Sequence, residues 1–259
     1  RFQEELEEIK NLLIELVYLN EPKTFYKFGD GDYYFLRKEP VGSATPGRRA
    51  LSKGYDQINH EAFVTGAELC DYYTCEIYPT NRARFADVIS RKVDYPAEFG
   101  YGLVTNKWLL ETFSGRIGLI GADQKMNIIQ NLMEAPQYQD YLGLEKFEDY
   151  ISLPQKFACD DIDATEQMVA EQLKNSTSKI FLMGMGHVKS GLIHRLKKHA
   201  NAVFLDVGAS IDALAGIIDV NRPFAGDWTN YQIDEPHLYE GVDFLAYEGQ
   251  GKHITLSRE

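Results

Sequence analysis

The stretch KIFLMGMGHVKSGLIHRLKKHANAVFLDVGAS, residues 179–210, carries the pattern that decides the fold. Four apolar residues, Ile180 to Met183, stop at Gly184-Met185-Gly186, and a basic run of helical length follows over 189–198. A second apolar run over 202–207 then ends around Asp206-Val207-Gly208. Apolar runs this short, bounded by glycine and separated by a helix-length segment, read as strands buried on both faces and paired in parallel.

The same alternation extends in both directions. Runs over 101–105, 116–122 and 149–153 are each followed by a helical pattern, over 107–113, 124–133 and 164–173, and the run over 202–207 by one over 211–218. Five β–α pairs in succession predict an α/β fold of Rossmann-like type, a mainly parallel sheet with helices on both faces. Right-handed crossovers put the carboxyl ends of all its strands on one edge, where open α/β sheets bind ligands.

Upstream, residues 24–28 (Thr-Phe-Tyr-Lys-Phe) form a further β-rich run that stops at Gly29-Asp30-Gly31-Asp32. An apolar stretch over 33–36 is closed by Pro40, and residues 41–54, with three glycines and a proline, read as a long loop. Two helical patterns follow, one on Ile58, Ala62, Phe63 and Leu69, the other on Ala83, Phe85, Val88 and Ile89. At the start, Phe2, Leu6, Ile9, Leu13 and Leu16 mark an amphipathic helix ended by Pro22. The predicted layout is an N-terminal helix (1–22), an α/β domain (23–219), and an extension (220–259) packing on or near the site. The extension is rich in Pro, Gly, Asp and aromatics, and its Trp228 and Tyr231 are candidates for stacking on a sugar ring.

Composition narrows the function. The 259 residues carry 27 Lys+Arg against 39 Asp+Glu, a formal charge of −12, which argues against a nucleic-acid partner. No apolar run approaches the ~20 residues of a membrane helix, the sequence shows no signal-peptide pattern, and its first residue is Arg1 rather than Met. The expectation is a domain of a longer polypeptide. Three irregularly spaced cysteines (Cys70, Cys75, Cys159) suit the reducing cytoplasm. There is no Walker loop, no nucleophile elbow and no Cys-x-x-Cys, and His60-Glu61 lacks the second histidine of a zinc-protease helix.

Small, acidic and hydrogen-bonding residues concentrate after the predicted strands. Asp30-Gly31-Asp32 offers two carboxylates for a hard divalent cation, of the kind that Mg²⁺ or Mn²⁺ shares with substrate phosphates. The plainer reading is a tight turn in which one Asp caps a helix. Gly184 and Gly186, with Lys189 and Ser190 beyond them, suit a phosphate cradle, or merely let helix and strand pack closely. Asp206 ends an otherwise apolar strand and needs a partner there. Asp212 fits the first turn of the next helix, and His187 is the histidine best placed to reach the edge. Arg48, Arg49 and Lys53 lie in the long loop, where they can close over a diphosphate or simply be solvated.

Taken in order, these residues resemble the bacterial glycosyltransferases with the GT-D fold. Lys27-Phe28-Gly29-Asp30-Gly31-Asp32 is similar to that family's Arg-Phe-Gly-Asp-Gly-Glu signature. Residues 101–107 resemble its strand leading to a Thr-Arg turn, with Asn106 and Lys107 at the turn. Residues 116–123, through Gly121, resemble its strand ending in an acidic-glycine turn. Ile151-Ser152-Leu153-Pro154 resembles its Ile-x-x-Pro strand, and residues 184–187 match its Leu-Gly-Pro-Thr loop in position. Leu205-Asp206-Val207-Gly208 with Asp212 resembles its closing Ile-Asp-Ile-Gly-x-x-Asp. The second acid is Asp32 rather than Glu, and Met185 and His187 replace the Pro-Thr.

The resemblance covers residues 24–219. It implies metal-dependent transfer of a sugar from a nucleotide diphosphate donor, UDP-linked in the main expectation, to a saccharide hydroxyl. Asp30 and Asp32 would hold Mn²⁺ or Mg²⁺. Phe28, Gly29, Gly31, Asn106, Lys107, Gly121, Gly184, Gly186, Lys189, Ser190 and Gly208 would surround the donor. Asp32, Asp206, Asp212 and His187 are the candidate bases. Two other readings stand beside it: an S-adenosylmethionine-dependent methyltransferase, and a non-catalytic module that binds a sugar or nucleotide.

Overall fold

The computed structural model describes residues 1–38, 58–154, 158–217, 231–240 and 252–256. The expectations for residues 41–54, with Arg48, Arg49 and Lys53, and for Trp228 fall outside the described residues.

Seven strands form one sheet: β1 (Lys23–Phe28), β2 (Tyr72–Cys75), β3 (Tyr95–Pro96), β4 (Ile117–Ala122), β5 (Asp149–Leu153), β6 (Ile180–Gly184) and β7 (Val203–Asp206). Their order is β3-β2-β1-β7-β6-β4-β5, and every pairing is parallel. The carboxyl ends of all seven therefore share one edge, with β1, β7 and β6 at its centre. β4 and β7 are buried at every residue, as strands covered on both faces must be.

Alternation along the strands divides the core in two. Phe25, Leu119, Leu182 and Leu205 point to one face, where they meet helix α1 (Phe2–Tyr18) through Ile9, Leu13, Leu16 and Val17. Tyr26, Phe28, Ile120, Phe181, Met183 and Phe204 point to the other. Helix α2 (Asp30–Leu36) leaves β1 directly and packs Phe35 on this second face. α3 (His60–Glu68) and α4 (Pro79–Val88) follow, and they coincide with the two helical patterns read upstream.

Two local readings are corrected. Residues 101–105, expected as a strand, are the second half of helix α5 (Ala97–Thr105). With residues 97–100 included, Ala97, Tyr101 and Val104 recur at helical spacing, and all three are buried. The helix after it, α6, is short (Trp108–Thr112). The apolar stretch over 33–36 belongs to α2 and continues it without a break.

The second correction concerns residues 189–198, expected as a single helix. They form one α-turn, α10 (Lys189–Leu192), between 3₁₀ segments Gly186–Val188 and Ile193–Lys198. Gly191 weakens a helix here, and α3 presses close: a Cβ on Gly66 would stand 2.5 Å from the Ser190 carbonyl oxygen.

The remaining helices are α7 (Asp123–Leu132), α8 (Pro136–Leu142), α9 (Ile162–Leu173) and α11 (Ser210–Leu214). The described part of the extension forms a small parallel pair, β8 (Tyr231–Ile233) with β9 (Lys252–Ile254). Tyr231 packs on Tyr138 and Tyr141, with ring centroids 5.4 Å and 4.6 Å away. Among the described residues no helix is long and apolar enough to cross a membrane.

Candidate active site

The turns leaving β1, β6 and β7 enclose a cleft of about 210 Å³ at the centre of the carboxyl edge. Four carboxylates line it (Asp30, Asp32, Asp206, Asp212), together with three lysines (Lys27, Lys125, Lys189). A second, more apolar lobe of about 190 Å³ adjoins it under Leu153, Pro154, Ala158 and Cys159. The two lobes share Lys125 and residues 184–187.

The centre of the site is a buried ion triad. Lys189 Nζ lies 2.9 Å from Asp206 Oδ2 and 3.1 Å from Asp32 Oδ2, and it also donates to the carbonyl oxygen of Lys27. Its three donors are thus all used, while Tyr26 closes the site from below with its ring 4.8 Å from Nζ. Burial draws the ammonium toward neutrality, but Asp206 and Asp32 more than reverse this and hold its pKa above the ordinary lysine value.

Each acid is held from the backbone as well. Asp32 Oδ2 accepts the Gly29 N–H at 2.8 Å, a capping contact made possible by its place three residues into α2. Asp206 Oδ2 accepts the Lys27 N–H at 3.1 Å and Oδ1 the Gly208 N–H at 3.0 Å. The partner that an acid ending an apolar strand requires is therefore Lys189. Sequence reasoning had assigned that lysine to phosphate.

Asp30 differs from Asp32. It is exposed at the head of α2, and among the described residues its Oδ1 accepts the neighbouring Gly31 N–H, at 2.8 Å. Asp212 at the rim pairs with Lys125. The His187 ring lies flat along Phe35, with centroids 4.7 Å apart.

Several expected contacts lie elsewhere. Phe28 is buried against Phe85 in the core, and Ser190 is fully buried with its hydroxyl 2.8 Å from the Tyr26 hydroxyl. Asn106 caps α6 by accepting the Trp108 N–H, while the Lys107 ammonium sits over Tyr141 at 4.1 Å. None of these four lines the cleft.

The glycines divide in the same way. A Cβ on Gly184 would stand 2.7 Å from the Gly208 carbonyl oxygen, and one on Gly121 2.9 Å from Met126 Cε, so both are packing glycines. Gly186, at φ +62, faces open space. Gly29, Gly31, Gly184, Gly186 and Gly208 line the cleft, and Gly121 does not.

Two lysines lining the cleft escaped sequence reasoning as ligand contacts: Lys27, noticed only as the first residue of the signature stretch, and Lys125, inside a helix. Tyr101, in the misread segment and outside the cleft lining, lies 5.3 Å under the Lys27 ammonium.

Among the described residues no three His, Cys, Asp or Glu side chains converge as a preformed metal centre. Asp30 and Asp32, both lining the cleft, are the residues that would hold a divalent cation there.

The parallel sheet with helices on both faces makes the chain a Rossmann-like α/β protein. It shares its fold with a solved glycosyltransferase (DUF1792) from Streptococcus sanguinis, with a TM-score of 0.51 over 95% of this chain and 96% of that one, at 12% sequence identity. The chain matches no protein-family model and no curated protein.

Proposed function

We propose that the chain is a glycosyltransferase that moves a sugar from a nucleotide diphosphate donor, a UDP-sugar, onto a saccharide hydroxyl. The observation that carries this reading is the convergence of the β1, β6 and β7 turns on one cleft of mixed charge, in a fold shared with a known glycosyltransferase. The adjoining apolar lobe suits the nucleoside, and the charged lobe suits the diphosphate and sugar.

In such a transfer the acceptor oxygen bonds to the anomeric carbon as the bond from that carbon to the diphosphate oxygen breaks. The departing diphosphate takes the electron pair, and the acceptor gives up a proton. Mn²⁺ or Mg²⁺ held by Asp30 and Asp32 would supply Lewis-acid stabilisation of the leaving group. Lys189 pairs with Asp32 and Asp206, which takes both away from proton transfer and leaves Asp206 to hold the edge of the cleft in place. Asp212 and His187, the two candidate bases outside the triad, are the groups we assign to receive the acceptor's proton.

Three free thiols and the lack of a spanning helix among the described residues accord with work in the cytoplasm.

Thermal shift against a panel of nucleoside diphosphates, with and without manganese, tests the reading together with a donor-turnover assay. Metal-dependent stabilisation and release of the nucleotide on adding acceptor are expected. Stabilisation by S-adenosylhomocysteine without metal would transfer the site to methyl-group chemistry, and nucleotide binding without turnover would make it a binding module.

A further inference from the structure

We propose that Lys27 is the side chain that receives the donor's diphosphate, a role that rests on the glycosyl-transfer reading of the cleft. Among the three lysines of the cleft, Lys189 has all its donors committed and is 6% exposed, and Lys125 is paired with Asp212. Lys27 has no carboxylate within 4 Å among the described residues. Its ammonium rests instead over the Tyr101 ring, which offers a weak electrostatic seat and no proton acceptor in the ring plane.

The surroundings are shaped to that side chain. Lys27 projects from the sheet face opposite the triad, beside α5, and its end passes between the turns after β1 and β7. A Cβ on Gly29 would lie 3.0 Å from Nζ, and one on Gly208 would lie 3.4 Å from Cδ and 3.6 Å from Nζ. Glycine at both positions leaves a slot that the lysine occupies. Its backbone is fixed from both sides, the N–H by Asp206 and the carbonyl by Lys189. The triad thus anchors a strand-borne cation at the cleft while its own charges sum to −1.

That charge sum gives the cation its purpose. Two carboxylates against one ammonium at the floor of the cleft repel a diphosphate, and Asp30 and the paired Asp212 at the rim do not help. An unpaired, pre-positioned ammonium offsets this repulsion without paying the cost of ordering a loose side chain.

Calorimetric titration of the whole chain tests the assignment, with inorganic pyrophosphate and with UDP as probes, each with EDTA and with manganese. Lys27→Met keeps the stem and removes the charge, and it should weaken both probes by about 10- to 100-fold, the usual effect of losing a charged hydrogen bond. Lys27→Arg should restore part of the loss, and Lys107→Met should change neither. A melting temperature unchanged in Lys27→Met separates charge from folding.

Wild-type affinity for pyrophosphate in Lys27→Met overturns the proposal, as does failure of the wild-type chain to bind either probe. Unchanged probe affinity with intact donor turnover removes Lys27 and leaves glycosyl transfer standing. Lys27-dependent pyrophosphate binding without donor turnover does the reverse.

Discussion

Lys189 and Asp206 stand 17 residues apart in sequence, after β6 and at the end of β7, and their charged atoms meet at 2.9 Å with 6% and 4% of the two residues exposed. Asp32, 5% exposed, completes the contact from the turn after β1. Three turns of the sheet edge are tied at one ammonium, which fixes them relative to one another around the cleft.

Lys189→Met leaves two buried carboxylates without their cation. Breaking a buried ion pair on one side costs about 3–5 kcal/mol, and for a chain of this size that lowers the melting temperature by on the order of 10 °C. The orphaned acids resist ionisation, so their folded pKa values rise above the unfolded ones and the variant gains relative stability as pH falls. Urea unfolding at pH 7.5 and 5.5 should show the deficit shrinking at the lower pH. A deficit independent of pH would mean that the acids had found other partners.

The cleft glycines separate packing from binding. Gly184→Ala drives its Cβ against the Gly208 carbonyl oxygen at 2.7 Å and Ile211 Cγ1 at 2.8 Å, where backbone must move. Overpacking of this kind costs about 1–3 kcal/mol. Gly29→Ala presses on the flexible end of Lys27, at 3.0 Å from Nζ, and touches Asp32 Oδ2 at an ordinary 3.7 Å, while its backbone (φ −129, ψ 174) accepts any residue. Gly29→Ala should therefore weaken UDP several-fold with a urea midpoint near that of the wild type, while Gly184→Ala lowers the midpoint. Equal loss of stability in both would contradict the division.

Asp30 offers the exposed carboxylate that the proposed cation needs. Asp30→Asn removes that charge from the surface at a stability cost within about 0.5 kcal/mol. The manganese-dependent part of the UDP thermal shift should disappear, while the shift seen with EDTA remains. A variant that keeps its manganese response would move the cation elsewhere.

How much of this was legible in the sequence follows from what each element needs. β4, β6 and β7 are runs of buried residues bounded by polar or glycine turns, and such runs announce themselves. β2 and β3, of four and two residues, are too short to set up a pattern, and the residues 101–105 of α5 imitate a strand when read apart from 97–100. At the site, the turns at residues 29–32, 184–187 and 206–212 stood out because strand ends in a parallel sheet share an edge. Their pairing did not. Lys189 meets Lys27 across 162 residues, and Lys27 meets Asp206 across 179, so no local spacing encodes either contact. The slot that Gly29 and Gly208 leave for Lys27 is likewise visible only once β1 and β7 lie side by side.

A last prediction concerns acid, away from the cleft. His194 is half-buried with Nδ1 lacking a hydrogen-bond partner among the described residues; burial first, then Arg195 and Lys198, push its pKa down to about 4. The unfolded chain takes up this proton near 6.5, so it binds more protons than the folded chain between about pH 6.5 and 4. Stability must fall as pH drops through that window. Nearby Glu166 works lower: burial raises its pKa, but hydrogen bonds from His199, Arg195 and Lys198 outweigh burial and bring it to about 2. Its contribution is present above the unfolded value of 4.5 and is lost as pH falls toward 2. His194→Gln carries no titrating proton, so it should flatten the loss between pH 6.5 and 4.5 and leave the steeper loss below it. Urea midpoints taken at half-unit steps from pH 7.5 to 3 resolve the two stages, and identical slopes in both proteins above pH 4.5 would assign the acid sensitivity to another group.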